Sequence, residues 1–469
     1  MTFKRKLMYT NKSPRRIDRK AGARNKKITK PYYSSPCYLG EIEKQKKKKG
    51  KSLFIDNMTN RTIEIMAPAG SWESLQAAIQ GGANSIYFGI EQLNMRARSS
   101  NNFTLKDLTE ISELCSKKNI KTYVTLNTII YDHDLILMKK IVNNAKHAGI
   151  TAIIASDQAV ISYAASIKME VHISTQTNIT NIETIRFYSY FADVVILSRE
   201  LSLLQTKEIT KEIEKQQIKG PSGNLIKIEI FAHGALCMAV SGKCYLSLQT
   251  TNSSANRGAC IQNCRKTYTV TDKEDGHQFD IDNEYIMSPK DLCTIGFIDK
   301  VLDSGSSVLK IEGRGRSPEY VKTTTRCYRE AVDAYLKGTY NKEKVKSWIT
   351  RLKTVYNRGF WDGYYLGQKM GEWTGIHGSK ATKKKIYLGK AKKYFTKIQV
   401  AEFDLEAQHL QKGDSILITG RTTGAIEAVA DEIRINDKQV KEVKKGDNFS
   451  MKLNYKVQPN DKLYKVLNS

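Results

Sequence analysis

The chain has 469 residues, and 76 Lys and Arg against 48 Asp and Glu give it a formal net charge of +28. This length is enough for a large core plus a smaller module. The sequence has no apolar stretch of the roughly 18 to 20 residues that a membrane span requires, and its charged start lacks the apolar segment of a secretory signal. We therefore expect a cytoplasmic protein without a membrane partner, in which cysteines stay reduced.

The positive charge is unevenly distributed along the chain. Residues 1–53 hold 18 Lys and Arg and 3 Asp and Glu, or +15, which leaves +13 for the remainder. Residues 44–51, KQKKKKGK, form a like-charge block that repels itself. We predict a disordered basic extension over residues 1–60, with a nucleic-acid-binding arm as the alternative. The +13 of the remainder indicates either a polyanionic partner such as nucleic acid or a generic basic surface.

Short apolar runs alternate with helical segments from residue 61 to residue 340. Ser71 is a plausible cap for the first helix, and Gly81 is expected to end it. The runs that read as strands are residues 62–70, 85–90, 121–130, 151–157, 170–179, 192–201, 227–235 and 307–314. Eight apolar strands between helices predict an α/β fold, a (β/α)8 TIM-like barrel over residues 61–340. No G-x-G-x-x-G follows the first strand, which disfavours a Rossmann sheet.

The pattern changes twice after the predicted barrel. Residues 341–384 read as a helical and aromatic connector, with RGFWDGYYLG at 358–367 expected to pack on the barrel. Residues 385–469 consist of short alternating runs such as KIQVAEF and DSILITG. They predict a small C-terminal all-β barrel module.

Polar residues follow the predicted barrel strands, at the rim where active sites of such barrels lie. They are Asn127, His172, Gln176, Asn178, Arg199, Glu200, His233, Lys310, Glu312 and Arg314. Lys310, Glu312 and Arg314 alternate along the last strand, so they share one side of it. An ion-pair network that merely fills the barrel is the rival interpretation of this triplet, because buried charges need partners.

Four of the chain's cysteines cluster just after the seventh strand. Cys237, Cys244, Cys260 and Cys264 have the spacing C-x6-C-x15-C-x3-C. Clustered thiolates in a reducing compartment bind zinc or an iron–sulfur cluster, and the spacing leaves both open. Cys293 is a fifth candidate ligand.

Several blocks, in order, resemble peptidase family U32, the collagenase-like proteins. They include MRARSSNNF, VHISTQTNI, MSPKDLC and LKIEGRGRSPEYV, and the cysteine blocks EIFAHGALCMAVSGKCYLS and GACIQNCRKTY. The resemblance covers about residues 62–340 and is strongest to the branch that hydroxylates the wobble uridine of tRNA to 5-hydroxyuridine with prephenate. It implies a 4Fe-4S cluster on Cys237, Cys244, Cys260 and Cys264, with Cys293 as substitute for Cys264.

On this basis we predict a tRNA-modifying enzyme, with tRNA, prephenate, and redox or cluster-assembly proteins as partners. The predicted catalytic residues are His172, Gln176, Arg199, His233, Glu312 and Arg314. The predicted substrate-binding residues are Arg98, Asn127, Asn178 and Lys310. Cationic side chains among them suit the two carboxylates of prephenate. A U32-type peptidase, an rRNA base hydroxylase and a non-catalytic RNA-binding module are the alternatives; the sequence shows no Ser/His/Asp arrangement at recognisable spacing and no H-E-x-x-H.

Overall fold

The computed structural model describes residues 62–98, 102–269, 271–274, 276, 287–368 and 371–469. The predicted extension, residues 1–60, lies outside these residues. Eight parallel strands close into a barrel, which confirms the predicted fold class. They are β1 (Glu64–Ala69), β2 (Ser85–Gly89), β3 (Lys121–Leu126), β4 (Ala152–Ala155), β5 (Glu170–Ile173), β6 (Val194–Ile196), β7 (Lys227–Ala235) and, after the short strand β8 (Asp291–Cys293), β9 (Val308–Ile311).

The barrel closes because β9 pairs in parallel with both β1 and β7. Leu309 lies opposite Ile65 on one side and Ile230 on the other. Strand β8 is an addition that the sequence pattern does not predict, and it pairs antiparallel with the end of β7. All eight predicted strand runs contain a barrel strand, because short, fully buried apolar runs are typical of parallel sheets covered by helices.

The helices surround the barrel. They are α1 (Trp72–Gly81), α2 (Asp107–Ser116), α3 (Leu135–His147), α4 (Gln158–Ser166), α5 (Ile182–Tyr188), α6 (Leu203–Gln216), α7 (Leu246–Thr251), α8 (Ile298–Asp303), α9 (Pro318–Leu336) and α10 (Lys342–Lys353). In α1 the Ser71 hydroxyl accepts a hydrogen bond from the Ser74 backbone N–H, as its predicted capping role requires. The helix includes Gly81 and ends at Gly82, whose φ of 84° is the left-handed conformation that glycine adopts most readily. None of the helices within the described residues has the length and apolar character that a membrane crossing requires.

The segment between barrel and module packs on the barrel. It comprises α10, the short strand β10 (Phe360–Trp361) and the turns after it. Trp361 and Tyr365 are buried, and the Tyr365 hydroxyl donates to the Phe231 carbonyl over 2.8 Å.

The C-terminal module is antiparallel and has its own core, around Leu388, Phe403 and Phe449. Its strands are β11 (Lys383–Phe395), β12 (Val400–Leu405), β13 (His409–Gln411), β14 (Ser415–Gly420), β15 (Gly424–Val429), β16 (Ile433–Ile435), β17 (Lys438–Val440), β18 (Glu442–Lys444), β19 (Asn448–Lys452) and β20 (Lys462–Asn468). It joins the barrel through α1, where the Gln80 amide donates to the Thr423 carbonyl and accepts from the Ala425 N–H.

Candidate active site

A cavity of about 250 Å³ opens at the carboxyl ends of the barrel strands. Residues that follow β3, β5, β6, β7 and β9 contribute to its wall, among them Asn127, Gln176, Arg199, Cys237 and Glu312. The cavity therefore lies at the rim to which the sequence assigns the polar residues, because the carboxyl ends of all strands of such a barrel meet there.

The four clustered cysteines all line this cavity. Cys237 follows the end of β7 by two residues and is exposed, while Cys244, Cys260 and Cys264 are half-buried. Burial raises the pKa of the Cys264 thiol, and negative charge on the other three thiols raises it further. The four thiols thus share one cavity wall.

Residues 236–268 carry the four cysteines, and we call them the cysteine segment. Two residues hold this segment in place, Arg265 and Gly258. The Arg265 guanidinium donates to the Ser288 hydroxyl, to the Pro289 carbonyl and, over 2.6 Å, to the Leu236 carbonyl. At Gly258, φ is 80°, and a Cβ there would lie 2.3 Å from the Asn94 carbonyl oxygen. Only glycine fits this contact, which brings Cys260 to the cavity wall.

The donor set fits an iron–sulfur cluster. Thiolates are the ligands that such clusters take, and four thiols line this one cavity. Zinc also binds four thiolates, at about 2.3 Å from each sulfur. Within the described residues, no three His, Cys, Asp or Glu side chains are arranged to hold a single metal ion.

Cys293, the substitute ligand, lies elsewhere. It is part of β8 and is buried, and it does not line the cavity. Burial raises the pKa of its thiol to about 12. The structure thus brings Cys264, and not Cys293, together with the other three cysteines.

The cavity is strongly cationic. Its basic side chains are Arg96, Arg199, Arg265, Lys310, Arg314 and Arg316. Among the described residues that line it, Glu312 is the one carboxylate, and its Oε1 lies 3.0 Å from Arg96 Nη2. Burial raises the pKa of Glu312, but the positive charges of Arg96 and Arg316 hold it below its usual value. The carboxylate therefore stays ionised, and the cavity keeps an excess of positive charge.

Arg199 is held by weak partners. Its Nη1 donates to the Ala235 carbonyl over 3.5 Å, and its guanidinium lies 4.0 Å above the Phe231 ring. Its buried Nε has no hydrogen-bond acceptor among the residues that the structure describes, and none of their carboxylates lies within 4.0 Å of it. A buried donor without an acceptor is costly, so this group is poised for an anionic ligand.

A line of titratable groups runs from the cavity into the barrel. Lys310 Nζ contacts Glu229 Oε1 at 2.8 Å, and Glu229 Oε2 lies 3.9 Å from His172 Nδ1. His172 Nε2 lies 3.1 Å from Glu170 Oε1, at the start of β5. Lys310 thus points inward as the alternation predicts, and its ion pair matches the rival interpretation of a charge network that fills the barrel.

The remaining predicted residues have structural partners. Arg314 is buried and donates to Asn94 Oδ1 over 3.0 Å and to Thr125 Oγ1 over 2.9 Å. His233 is buried beside Tyr328, and burial lowers its pKa to about 3. Asn178, with φ at 54°, donates to the Ser241 carbonyl. The cavity lining includes Asn127, Gln176, Arg199, Lys310, Glu312, Arg314 and the four cysteines, and it does not include Arg98, His172, Asn178 or His233. Roles of all these residues in the reaction stay predictions.

Sequence reasoning missed four charged residues of the site. They are Arg96, Glu229, Arg265 and Arg316. Arg96 lies two residues before the predicted Arg98 in MRARSS, and Arg316 continues the alternation of Lys310, Glu312 and Arg314. A lone Glu inside the apolar run KIEIF was the available signal for Glu229, because a charge there needs a partner across the barrel.

Comparison with known proteins agrees with this architecture. Residues 70–375 match the sequence model of the family described as peptidase family U32. The chain belongs to peptidase family U32. A U32 relative named "Collagenase" from Porphyromonas gingivalis is 57% identical over 408 residues, which cover 87% of this chain and 99% of the relative.

Other relatives are named for RNA hydroxylation. The "tRNA hydroxylation protein P" of Helicobacter pylori is 32% identical over 315 residues, covering 65% of this chain and 72% of the relative. A 23S rRNA 5-hydroxycytidine synthase of Escherichia coli is 30% identical over 322 residues, covering 67% of this chain and 47% of the relative. The family therefore includes proteins named as proteases and proteins named for acting on tRNA or rRNA.

Proposed function

We propose that this protein hydroxylates C5 of a uridine in tRNA, with prephenate as co-substrate and an iron–sulfur cluster on Cys237, Cys244, Cys260 and Cys264. One observation carries the proposal: four thiols and six basic side chains share a single cavity with one carboxylate. Thiolates suit a redox cofactor, and the cations suit anionic substrates. The relatives named for tRNA and rRNA hydroxylation support the same reaction class.

The chemistry requires help from outside the polypeptide. Replacing C5–H of uridine with C5–OH is a two-electron oxidation that inserts one oxygen atom. The oxygen atom and the acceptor of the two electrons must both come from outside the polypeptide, and a cluster held by the four cysteines would pass the electrons on one at a time. The chain's own side chains then bind the substrates, orient them and exclude water.

Arg199 is the residue best placed to bind the carboxylates of prephenate. Its guanidinium lies in the cavity wall with a buried donor that lacks an acceptor among the described residues. A guanidinium binds a carboxylate through two parallel hydrogen bonds, which fixes its orientation. Arg96 and Lys310, by contrast, already have carboxylate partners.

A nucleic-acid substrate also fits the charge of the chain. The chain beyond residue 53 carries a net charge of +13, and basic residues bind phosphates by releasing counterions. A cavity at the end of a barrel admits a base only if the base leaves its stack, which is cheapest in a single-stranded loop. The wobble position of a tRNA lies in such a loop.

Peptide hydrolysis is the second candidate, because the relative named "Collagenase" is 57% identical. The residues that line the cavity do not favour peptide hydrolysis. No histidine or aspartate of the described residues lines the cavity, so its Ser174, Ser241 and Ser247 have no imidazole base in the lining. His172 and His233 are buried among other partners.

The test is a strain from which the gene is deleted and to which it is then restored. Mass spectrometry of tRNA nucleosides should show loss of 5-hydroxyuridine derivatives in the deletion strain and their return on restoration. The purified protein should leave gelatin uncut. Unchanged tRNA nucleosides in the deletion strain, together with gelatin cleavage by the protein, would establish the peptidase alternative.

A further inference from the structure

Exposed apolar side chains lie on the two segments that contribute to the cavity wall after β3 and β7. Ile129 and Tyr131 follow β3, while Met238, Val240, Tyr245, Leu248 and Ile261 belong to the cysteine segment. We call these seven side chains the rim patch. Tyr131 is 51% exposed and Tyr245 is 67% exposed. Exposed apolar groups that cluster beside a site mark an interaction surface, whereas scattered ones are ordinary.

The two parts of the rim patch are joined into one surface. The Ile129 N–H donates to the Asn256 carbonyl over 3.1 Å, and Arg257 donates to the Ile129 carbonyl over 2.6 Å. Within the cysteine segment, the Ile261 N–H donates to the Ser247 hydroxyl over 3.1 Å. Ser247, Met238 and Gln262 line the cavity itself, so the patch begins where the cavity wall ends.

The charge of this surface favours a nucleic acid as the partner. The cysteine segment has four basic residues and no acidic one. Arg265 is bound inward to Leu236, Ser288 and Pro289, and Arg257 pairs with Asp134. The exposed Lys243 and Lys266 have no ion-pair partner among the described residues. The Arg257 guanidinium lies 4.2 Å from the centre of the Tyr131 ring and covers one face of it. Asp134 holds that guanidinium through a contact with Arg257 Nη1. Because one face is covered and half of the side chain is still exposed, a flat group can stack on Tyr131 from outside.

We infer that the rim patch is a stacking platform for the unpaired bases next to the target nucleotide, with Tyr131 and Tyr245 as its main contacts. The inference rests on the proposed function and adds the part of the RNA that the protein holds. Aromatic side chains bind single-stranded bases of any sequence, while neighbouring cations bind the phosphates. The platform thereby keeps the loop open while one base occupies the cavity.

The experiment measures binding of a synthetic anticodon stem–loop with uridine at the wobble position, by fluorescence anisotropy at several salt concentrations. Tyr131→Ala and Tyr245→Ala should each weaken binding by about tenfold. Tyr131→Phe and Tyr245→Phe should bind like the wild type, because the ring is kept. Tyr190→Ala is the matched control, since Tyr190 is 76% exposed and lies between α5 and β6, at the opposite end of the barrel.

Salt dependence separates stacking from charge. The alanine variants should keep the wild-type slope of binding against salt, because they remove no cation, whereas Lys243→Gln should lower the slope. Iron content is measured in parallel, since Tyr245 adjoins Cys244 in sequence. A Tyr245→Phe variant that keeps its iron but binds poorly would contradict a stacking role.

Two further outcomes would overturn the inference. Equal binding of the stem–loop by wild type and both alanine variants would show that the rim patch does not hold RNA. Weaker binding of gelatin by the alanine variants, with unchanged RNA binding, would assign the patch to a peptide. If deletion of the gene leaves tRNA nucleosides unchanged, the proposed function fails instead, and the RNA-binding measurement still tests the patch on its own.

Discussion

At the scale of single residues, the cations of the cavity differ in what they already bind. Arg96 has Glu312 and Lys310 has Glu229 as carboxylate partners at 3.0 and 2.8 Å. Arg199 has a long hydrogen bond to a carbonyl and a contact with the Phe231 ring, and no carboxylate of the described residues lies within 4.0 Å of it. An arginine that already pairs with a carboxylate has fewer free donors and less uncompensated charge for a substrate. The existing partners of each cation therefore indicate which one binds an anion.

The first prediction concerns Arg199→Gln. We expect the variant to fold with wild-type stability and iron content, because it breaks no ion pair among the described residues. Affinity for prephenate should fall by about 10- to 100-fold, the range expected for loss of a hydrogen bond between charged groups. Thermal unfolding at increasing prephenate concentrations measures this affinity through the rise of the unfolding temperature. Arg186→Gln, which removes an exposed cation of α5, is the control and should behave as wild type. Full prephenate-dependent stabilisation of Arg199→Gln would contradict the assignment.

The second prediction is a pH dependence that arises from His233. Burial lowers its pKa to about 3, whereas the unfolded chain takes up a proton near the ordinary value of 6.5. Between these values the unfolded state binds more protons, so stability falls as the pH falls, by about 1.4 kcal/mol per pH unit at most. His233→Gln should remove this contribution between pH 6 and pH 5 in urea unfolding. Equal slopes for both proteins would show that His233 is protonated in the folded state.

The sequence indicated which residues lie near the rim of the barrel. It did not indicate whether each side chain ends in the cavity or below it. Position after a strand correctly indicated that Gln176 and Arg199 line the cavity. The same argument selected His172, which lies inside the barrel against Glu170 and Glu229, and His233, which packs against Tyr328. Whether a side chain ends in the cavity or below it depends on contacts across the barrel, and the sequence pattern of one strand does not contain those.

At the scale of elements, β7 and β9 are linked by charges as well as by backbone pairing. Glu229 on β7 and Lys310 on β9 are both buried, and the side chain of Glu229 is fully inaccessible. Each is a charge that would be costly without the other. The pair therefore contributes to the pairing of the two strands that closes the barrel.

The third prediction tests that pair by a double-mutant cycle. Lys310→Met should lower the free energy of unfolding by about 3 to 5 kcal/mol, because Glu229 then stays buried without its cation, with His172 Nδ1 at 3.9 Å from its other oxygen. Adding Glu229→Gln should restore much of the loss, since the uncompensated charge is gone. Lys211→Met, in the exposed pair with Glu208, should cost about 1 kcal/mol or less. Additive losses in the double variant would show that the two side chains do not interact energetically.

The fourth prediction concerns the cysteine segment. Cys264 lines the cavity and Cys293 does not. Cys264→Ala should therefore lose most of the iron and sulfide and the brown colour of anaerobically purified protein, because one iron would lack its thiolate. Cys293→Ala should keep them. Stoichiometric zinc without iron or sulfide in the wild-type protein would show that the cysteines do not hold an iron–sulfur cluster. Loss of iron from the Cys293 variant alone would show that Cys293, and not Cys264, is the fourth ligand.

Sequence predicted the elements better than their connections. The eight barrel strands are short apolar runs, so periodicity and length identified them without tertiary information. Strand β8 escaped prediction because it has three residues and pairs with an extension of β7. The cysteine spacing alone left zinc and a cluster open, and the arrangement of the four thiols around one cavity came only with the fold.

At the scale of the whole molecule, the barrel and the C-terminal module share a packed surface. Leu417 and Ala425 of the module belong to the barrel's buried core, and Gln80 of α1 bonds to both Thr423 and Ala425. The alternating runs of the sequence indicated an all-β module, but not the helix it packs against. Partner helices are chosen by complementary surfaces, which composition and periodicity do not encode.

If the cysteine cavity hydroxylates tRNA, loss of one of its cysteines should abolish the modified nucleoside. Mass spectrometry of tRNA nucleosides compares strains that carry Cys264→Ala or Cys293→Ala in the chromosomal gene, at equal protein levels. We predict that 5-hydroxyuridine derivatives disappear in the Cys264 strain, with unmodified uridine in their place, and persist in the Cys293 strain. Wild-type amounts of these nucleosides in the Cys264 strain would show that the cysteine cavity does not carry out the hydroxylation.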